Sequence, residues 1–477
     1  MGNGHPFRFT LAPLTAGVLA VGVGAAPPAP AGVSVEDGDT RLDIGAQFRV
    51  RHQSNPFPST EDVYRQTNYR ARLNLDFRYS DDFRVFLQPQ KVGVFGDNDT
   101  GAAVDFNKNP ENQSLHQAFL DWDVTESVSL RLGRFEQALA NHRLIGNFVW
   151  SQRGRSFDGG RLRWTSGPHQ VSVFGLELAG ENLGGPSNTG GPLPVSDNNA
   201  DQQAYIAHYK GTDVLPGSNR LELTYVYDDD FQGEPFSASA LEGGARPGAE
   251  RHTAGFFLAN TAGNGGYLSP FPPMALKYVK EPGLYYRVEG YAQRGDLGPA
   301  GGNQDISAYM GAGYLGYSFG DAAGQPLVWG GVDYLSGDDS PNSGDHEAFS
   351  TLYSTNHAYY GFMDYFLISP ASDTSSAGLR DANVSVHFKP RADTGVFLKA
   401  HNFALANAQS GVEESLGNEI DLTVAYKAHP KAVLLFGYSK FFTDSGMSDL
   451  SRPAGAAAKI QDGEDPQFLY AQINTVF

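Results

Sequence analysis

Strict period-two alternation, with arginine crowding one of the two faces, constrains this chain more than any other feature. Between Arg41 and Arg51, the residues Leu42, Ile44, Ala46, Phe48 and Val50 share one face. Arg41, Asp43, Gln47, Arg49 and Arg51 share the other. Asn68–Tyr79 repeats the pattern, with Tyr69, Ala71, Leu73, Leu75 and Phe77 opposite Arg70, Arg72, Asn74, Asp76 and Arg78. Successive side chains of a strand point to opposite faces, so each segment reads as a strand with one apolar and one charged side. A soluble sandwich alternates too, but its polar face is a mixed solvent surface. In a membrane barrel the apolar face meets lipid and the charged face lines the lumen.

The same unit recurs along the chain. In residues 115–164 two alternating runs are joined by Val124-Thr125-Glu126-Ser127, and a long polar segment leads to a third run. Strands are expected at 41–51, 68–79, 83–95, 113–123, 127–135, 158–166, 169–178, 202–211, 219–228, 251–260, 283–293, 305–319, 326–335, 380–389, 393–404, 417–428, 431–441 and 466–477, eighteen in all. Links after even-numbered strands are mostly short, such as Ser80–Asp82, Gly167-Pro168 and His429-Pro430. Most links after odd-numbered strands are long and rich in Gly, Pro and Asp, including 52–67, 136–157 and 336–379. Bacterial barrels have short periplasmic turns and long external loops. The link 261–282 is long where a short one is expected, so either a periplasmic segment is extended there or the count slips by a strand pair. The fold class is therefore an all-β transmembrane antiparallel β-barrel of eighteen strands over residues 41–477.

Composition agrees. Phe9–Ala26 is the only long apolar stretch; it follows Arg8 and precedes Ala29-Pro30-Ala31, as in a secretory signal peptide ending near residue 31. Residues 32–40 then form a short tail. No internal run approaches the ~20 residues of a membrane helix. Cys is 0, so an exported chain must be held by hydrogen bonding rather than disulfides. Gly is 57, and the net charge of −18 argues against nucleic acid. The destination that reconciles export with alternation is the outer membrane of a Gram-negative cell, where closed barrels satisfy every backbone group in lipid.

Chemical motifs are absent or fail on context. Gly311-Ala312-Gly313-Tyr314-Leu315-Gly316 fits G-x-G-x-x-G but lies inside an alternating run with no helix after it. Asp97-Asn98-Asp99-Thr100-Gly101 resembles half a calcium loop without the later bidentate Glu, and a solvated loop is the better account. Asp228–Asp230 reads as a solvated loop entrance. No H-E-x-x-H or G-x-S-x-G occurs, so neither an enzyme nor a cofactor is expected.

The candidate functional residues are the cations on the charged faces. Arg49, Arg51, Arg70, Arg72, Arg84, Arg131, Arg161, Arg163 and Arg287, with Lys399, fall there, and Arg134 is counted with them as pore lining. Acids on the same faces, Asp43, Asp76, Asp121, Glu222, Glu289, Glu419 and Asp421, are expected to pair with about half of these and brace the wall. The remainder would hold carboxylates transiently, since rings of Arg and Lys select anions.

His116-Gln117-Ala118-Phe119-Leu120-Asp121, Leu130-Arg131-Leu132-Gly133-Arg134, Arg143-Leu144-Ile145-Gly146, Trp150 and Arg155-Ser156-Phe157-Asp158-Gly159 resemble the alginate-export outer-membrane porin family. So do the segments 349–364 and Gly417-Asn418-Glu419-Ile420-Asp421-Leu422. The resemblance implies a monomeric eighteen-stranded barrel with an arginine-lined, electropositive constriction that passes alginate, a polyuronate. Expected partners are thus an anionic polysaccharide or oligosaccharide, outer-membrane lipid and periplasmic export proteins. A general porin, or a structural or receptor barrel without transport, is the alternative. The aromatic segment Asn356–Asp364, within the link 336–379, is expected to fold back over the pore.

Overall fold

The computed structural model describes residues 8–10, 32–54, 65–95, 113–177, 202–230, 249–262, 266–269, 279, 281–298, 303–338, 340, 344–367, 369–450 and 463–477. Eighteen antiparallel strands form one closed sheet. They are β1 (Thr40–Ser54), β2 (Arg65–Tyr79), β3 (Phe83–Val94), β4 (Gln113–Thr125), β5 (Val128–Phe135), β6 (Phe157–Ser166), β7 (His169–Glu177), β8 (Gln202–Thr212) and β9 (Asn219–Asp230), followed by β10 (Ala249–Asn260), β11 (Gly283–Leu297), β12 (Asp305–Ser318), β13 (Leu327–Leu335), β14 (Leu379–Arg391), β15 (Thr394–Ala404), β16 (Ser415–His429), β17 (Ala432–Thr443) and β18 (Gln467–Val476). Each strand pairs with its sequence neighbours, and β18 closes on β1 from Leu469↔Ser54 to Val476↔Gln47. All eighteen expected strands are present, with ends shifted by at most four residues.

β10 and β11 pair directly, from Ala249↔Leu297 to Ala259↔Arg287, so the count does not slip at 261–282. That link is an extended one. Its described part turns inward: Leu268 is fully buried, and its carbonyl accepts a hydrogen bond from Arg287 Nη1 at 2.6 Å.

β18 is shorter than β1; with Phe477 bonded to Ala46, it leaves residues 40–45 of β1 without a partner on that side. A leading strand, Val33–Asp37, fills the gap from Val33↔Ile44 to Asp37↔Thr40, in place of the expected tail. Arg8–Thr10 pairs with that strand. The rest of the expected signal peptide, with its cleavage point, lies outside the described residues, as does Asp97–Gly101. Gly311–Gly316 falls within β12, as a strand reading requires.

The outward face is apolar. Phe48, Leu73, Leu87, Leu132, Leu162, Val173, Leu223, Leu315 and Val384 are all exposed on it. A belt of this kind is stable only against hydrocarbon, and closure leaves the barrel itself no open sheet edge there.

Candidate functional site

The lumen is divided by charge. Arg49, Arg51, Arg70, Arg72, Arg131 and Arg161, all buried, project inward from β1, β2, β5 and β6. Opposite them, Glu222, Glu289, Asp333, Asp381, Glu419 and Asp421 project inward from β9, β11, β13, β14 and β16, and all are buried. Period-two alternation puts each of these inside, but only closure of the sheet sets one group across from the other.

The β5–β6 link, residues 136–156, crosses between these two walls. At its start Glu136 Oε1 lies 3.1 Å from Arg72 Nη1 and 2.6 Å from His116 Nε2, while Oε2 accepts from Asn147 at 2.9 Å. Burial alone would raise the Glu136 pKa, but the His116 and Asn147 bonds and the Arg72 charge hold it well below the usual carboxylate range. Seven residues on, Arg143 is fully buried against the acidic wall, 3.0 Å from Asp333 and 3.4 Å from Glu289. It also donates to Tyr360 Oη at 2.9 Å and stacks 3.7 Å from the Tyr359 ring centre. Burial opposes its charge, but Asp333, the tyrosines and Glu289 outweigh that and hold its pKa well above the ordinary value. The link thus delivers an acid to the basic wall and a base to the acidic wall.

Returning, the link is gripped by the wall arginines through its backbone. Arg49 Nη1 donates to the Val149 carbonyl at 2.9 Å, Arg51 Nη2 to that of Trp150 at 2.7 Å and Arg72 Nη2 to that of Arg153 at 3.2 Å. The Arg51 guanidinium also sits 3.6 Å over the Trp150 ring.

The β13–β14 link, residues 336–378, packs on the first. Ile145 and Tyr353 form a parallel bridge, with Gly146 N–H to Tyr353 O at 2.9 Å and Tyr353 N–H to Leu144 O at 2.9 Å. His357 is sandwiched between Trp150 and Phe362, with ring centres 4.0 and 4.7 Å away, and its Nδ1 is 2.6 Å from Asp364. Lys399 donates to Tyr359 O at 2.9 Å, and Met363 N–H to Glu419 Oε1 at 2.8 Å. Gly361 is required there: its φ is +85°, and a Cβ would meet the Glu419 carboxyl at 2.4 Å. The aromatic segment therefore folds into the lumen rather than over the mouth, because Tyr359, Tyr360, Phe362 and Phe366 gain full burial only there.

The wall cations differ in how far they are committed. Arg131 holds Asp121 by two bonds of 2.6 and 2.7 Å, Arg84 holds Asp76 at 2.7 Å, and Arg287 lies 3.1 Å from Glu289. Asp43 pairs with Arg41 at 2.9 Å. Arg161 is 3.9 Å from Asp121. Arg70 and Arg163 make no hydrogen bond or ion pair among the described residues, and Arg70 is 6% exposed.

Arg134 departs from the expected pore lining. Arg131 and Phe135 are buried inward, so Arg134 falls on the outward parity. There it pairs with its cross-strand neighbour Asp158 through two bonds of 2.6 Å. Asp228 departs too: rather than a solvated entrance, it is a buried acceptor for the Tyr353 hydroxyl.

Sequence reasoning missed Glu136, Arg143, Asp333 and Asp381. Asp333 and Asp381 alternate with apolar neighbours and were findable by parity. The two link residues carry no periodic signal.

One expected outcome concerns pH. Burial, then the Arg220 charge, lowers the His142 pKa to about 3; Arg155 lowers it further and Glu136 opposes. A depressed histidine pKa favours the seated link fully above about pH 6.5 and progressively less toward about pH 3. Channel conductance should therefore rise reversibly as the bath is acidified across that window, and His142→Asn should flatten the rise. An unchanged profile in that variant would remove His142 from the explanation.

The sequence model of a family described as alginate export matches residues 40–446. No curated protein matches the chain. Among solved structures, OccK9 (OpdG) of Pseudomonas aeruginosa is similar with a TM-score of 0.59 at 11% identity, covering 91% of this chain and 98% of that one. OccAB1 of Acinetobacter baumannii gives 0.57 at 12% identity, covering 91% and 96%. A BenF-like porin from Pseudomonas fluorescens Pf-5 gives 0.56 at 10% identity, covering 91% and 98%. At such identities the likeness is one of fold.

Proposed function

The chain belongs to the alginate-export family and is an outer-membrane channel of a Gram-negative bacterium; from that premise we propose that it passes an anionic, polyuronate-like polysaccharide or oligosaccharide along the arginine wall of its lumen. The observation that carries this reading is Arg70. It is a permanently charged side chain facing the lumen between Arg49 and Arg72, with no protein partner among the described residues. A carboxylate on a passing sugar supplies the missing acceptor through a forked pair of N–H bonds. Arg163 repeats the arrangement nearer the periplasmic end of β6. The barrel acts as a monomer, with outer-membrane lipid around it and periplasmic export proteins delivering the sugar.

The test is block of single-channel current in planar bilayers by oligouronates and by neutral oligosaccharides of equal length. Charged sugars are expected to block at lower concentration, and more weakly as salt rises. Equal block by neutral sugars would overturn the anionic-substrate reading. A second reading, a receptor barrel without transport, draws on the two buried links that fill the lumen; absence of any current would favour it.

A further inference from the structure

The inward face of β2 carries more than arginine. From its outer end toward the periplasm it presents Asn68, Arg70, Arg72, Asn74 and Asp76 at alternate positions, all buried. Asn68 and Asn74 are each 1% exposed, and the side-chain nitrogen of each has no hydrogen-bond partner among the described residues. A buried donor without an acceptor is costly, and folded chains keep few of them. At Asn74 the free atom is a donor by necessity. The Glu136 backbone N–H, which can only donate, gives to Gln117 Oε1 at 3.1 Å. That turns the Gln117 amide so that its Nε2 donates to Gln88 Oε1 at 3.2 Å, and Gln88 Nε2 in turn donates to Asn74 Oδ1 at 2.6 Å. The relay leaves Asn74 Nδ2 over at its end. The β2–β3 ladder skips Asn74, passing from Arg72↔Gln90 to Leu75↔Leu87, and its partner on β1 is Gly45, which has no side chain to accept a bond. Asn68 repeats the state: its Oδ1 accepts from Gln152 of the β5–β6 link, and its Nδ2 is free.

We propose that this face reads the neutral oxygens of the saccharide: Asn68 Nδ2 and Asn74 Nδ2 donate to hydroxyl or ring oxygens on either side of a carboxylate held at Arg70. This rests on the anionic-saccharide reading above and adds what Arg70 lacks, since a guanidinium alone does not tell a uronate from another carboxylate. Local charge selects a neutral oxygen at Asn74. Arg72, one inward position away, is paired with Glu136 at 3.1 Å, and Asp76, one position beyond, is paired with Arg84 at 2.7 Å. Neither leaves a free positive charge to draw a second carboxylate there. Six residues separate Asn68 from Asn74, about 20 Å along a strand. The three free donors, with Arg70 Nη1 between the two amides, therefore follow the direction of passage.

Block of single-channel current by the full chain in planar bilayers tests this with three probes: an oligouronate, an oligoglutamate of equal charge, and a neutral oligosaccharide of equal length. The oligoglutamate carries carboxylates without sugar hydroxyls. The wild type is expected to bind the oligouronate more tightly than the oligoglutamate. Asn74→Leu should lower that ratio about fivefold, the worth of one neutral hydrogen bond. Block by the neutral oligosaccharide should weaken by the same factor, because its hydroxyls meet the same amide. If Asn74→Leu fails to assemble, Asn68→Leu tests the other end of the strip. An undiminished ratio, or equal loss of block for oligouronate and oligoglutamate, overturns the proposal. Failure of the anionic-substrate reading shows differently, as wild-type block that ignores the uronate charge.

Discussion

Arg143→Gln is expected to loosen the two lumenal links and raise single-channel conductance while the barrel itself stays folded. Arg143 is fully buried between Asp333 and Glu289; Glu289 keeps Arg287 at 3.1 Å, but removing the Arg143 charge takes from Asp333 its ion-pair partner in a dry site. Breaking a buried pair from one side costs about 3–5 kcal/mol, mostly as uncompensated charge. The barrel is insulated from that loss, because its strand ladder closes independently of either link. The links are not: the bridge Ile145↔Tyr353 and the stack of Trp150 on His357 both depend on residues 142–155 staying seated. Limited proteolysis should cut within 136–156 in the variant and spare the wild type, with heat-modifiable migration confirming an intact barrel. The double variant R143Q/D333N removes the orphaned charge and is expected to recover most of the wild-type conductance. A single variant with unchanged conductance and unchanged cleavage would mean that Arg143 does not anchor the link.

Arg70→Glu is expected to produce the largest change in ion selectivity of any single substitution in the lumen. Arg49, Arg51 and Arg72 hold backbone carbonyls of the β5–β6 link, and Arg131 is neutralised by Asp121, so changing those residues alters structure and charge together. Among the described residues Arg70 holds no hydrogen-bond or ion-pair partner and can be reversed with less disturbance. At an effective dielectric constant of about 20, a unit charge about 6 Å from a permeating ion is worth about 3 kcal/mol. Reversing the sign therefore moves the balance by more than a tenfold ratio, since about 1.4 kcal/mol corresponds to tenfold. The reversal potential in a salt gradient should shift toward cation selectivity, and block by oligouronates should weaken. Arg131→Gln is expected to do much less. If the two variants shift the reversal potential equally, pairing state does not govern the contribution of a wall arginine. If the wild-type pore already prefers cations, the anionic substrate is wrong.

Glu136 and Arg143 lie in a segment with no period, and nothing local distinguishes them from any charged pair on a solvated loop. Their roles arise because β2, β11 and β13, far apart in sequence, stand around one lumen. The aromatic segment Asn356–Asp364 was legible as unusual for a loop, yet its direction was not. Whether it covers the mouth or enters the lumen depends on the space that closure creates.

Local sequence specified the strands, their alternating short and long connections, and which side chain faces in, because period two is a local property of an extended backbone; the count at 261–282 was closed only by the pairing of β10 with β11. Counting Arg134 as pore lining goes against the period-two rule: three residues from Arg131, it falls on the outward face. Tertiary structure alone decided which lumenal arginines are occupied. Arg70 and Arg72 are identical in type, parity and strand, and differ in what is brought against them: Glu136 and a carbonyl of the β5–β6 link, with Gln90 and His116, at Arg72, and no bonding partner among the described residues at Arg70. A side chain's direction follows from its own backbone, but its partner is set by the closure of eighteen strands around a common axis.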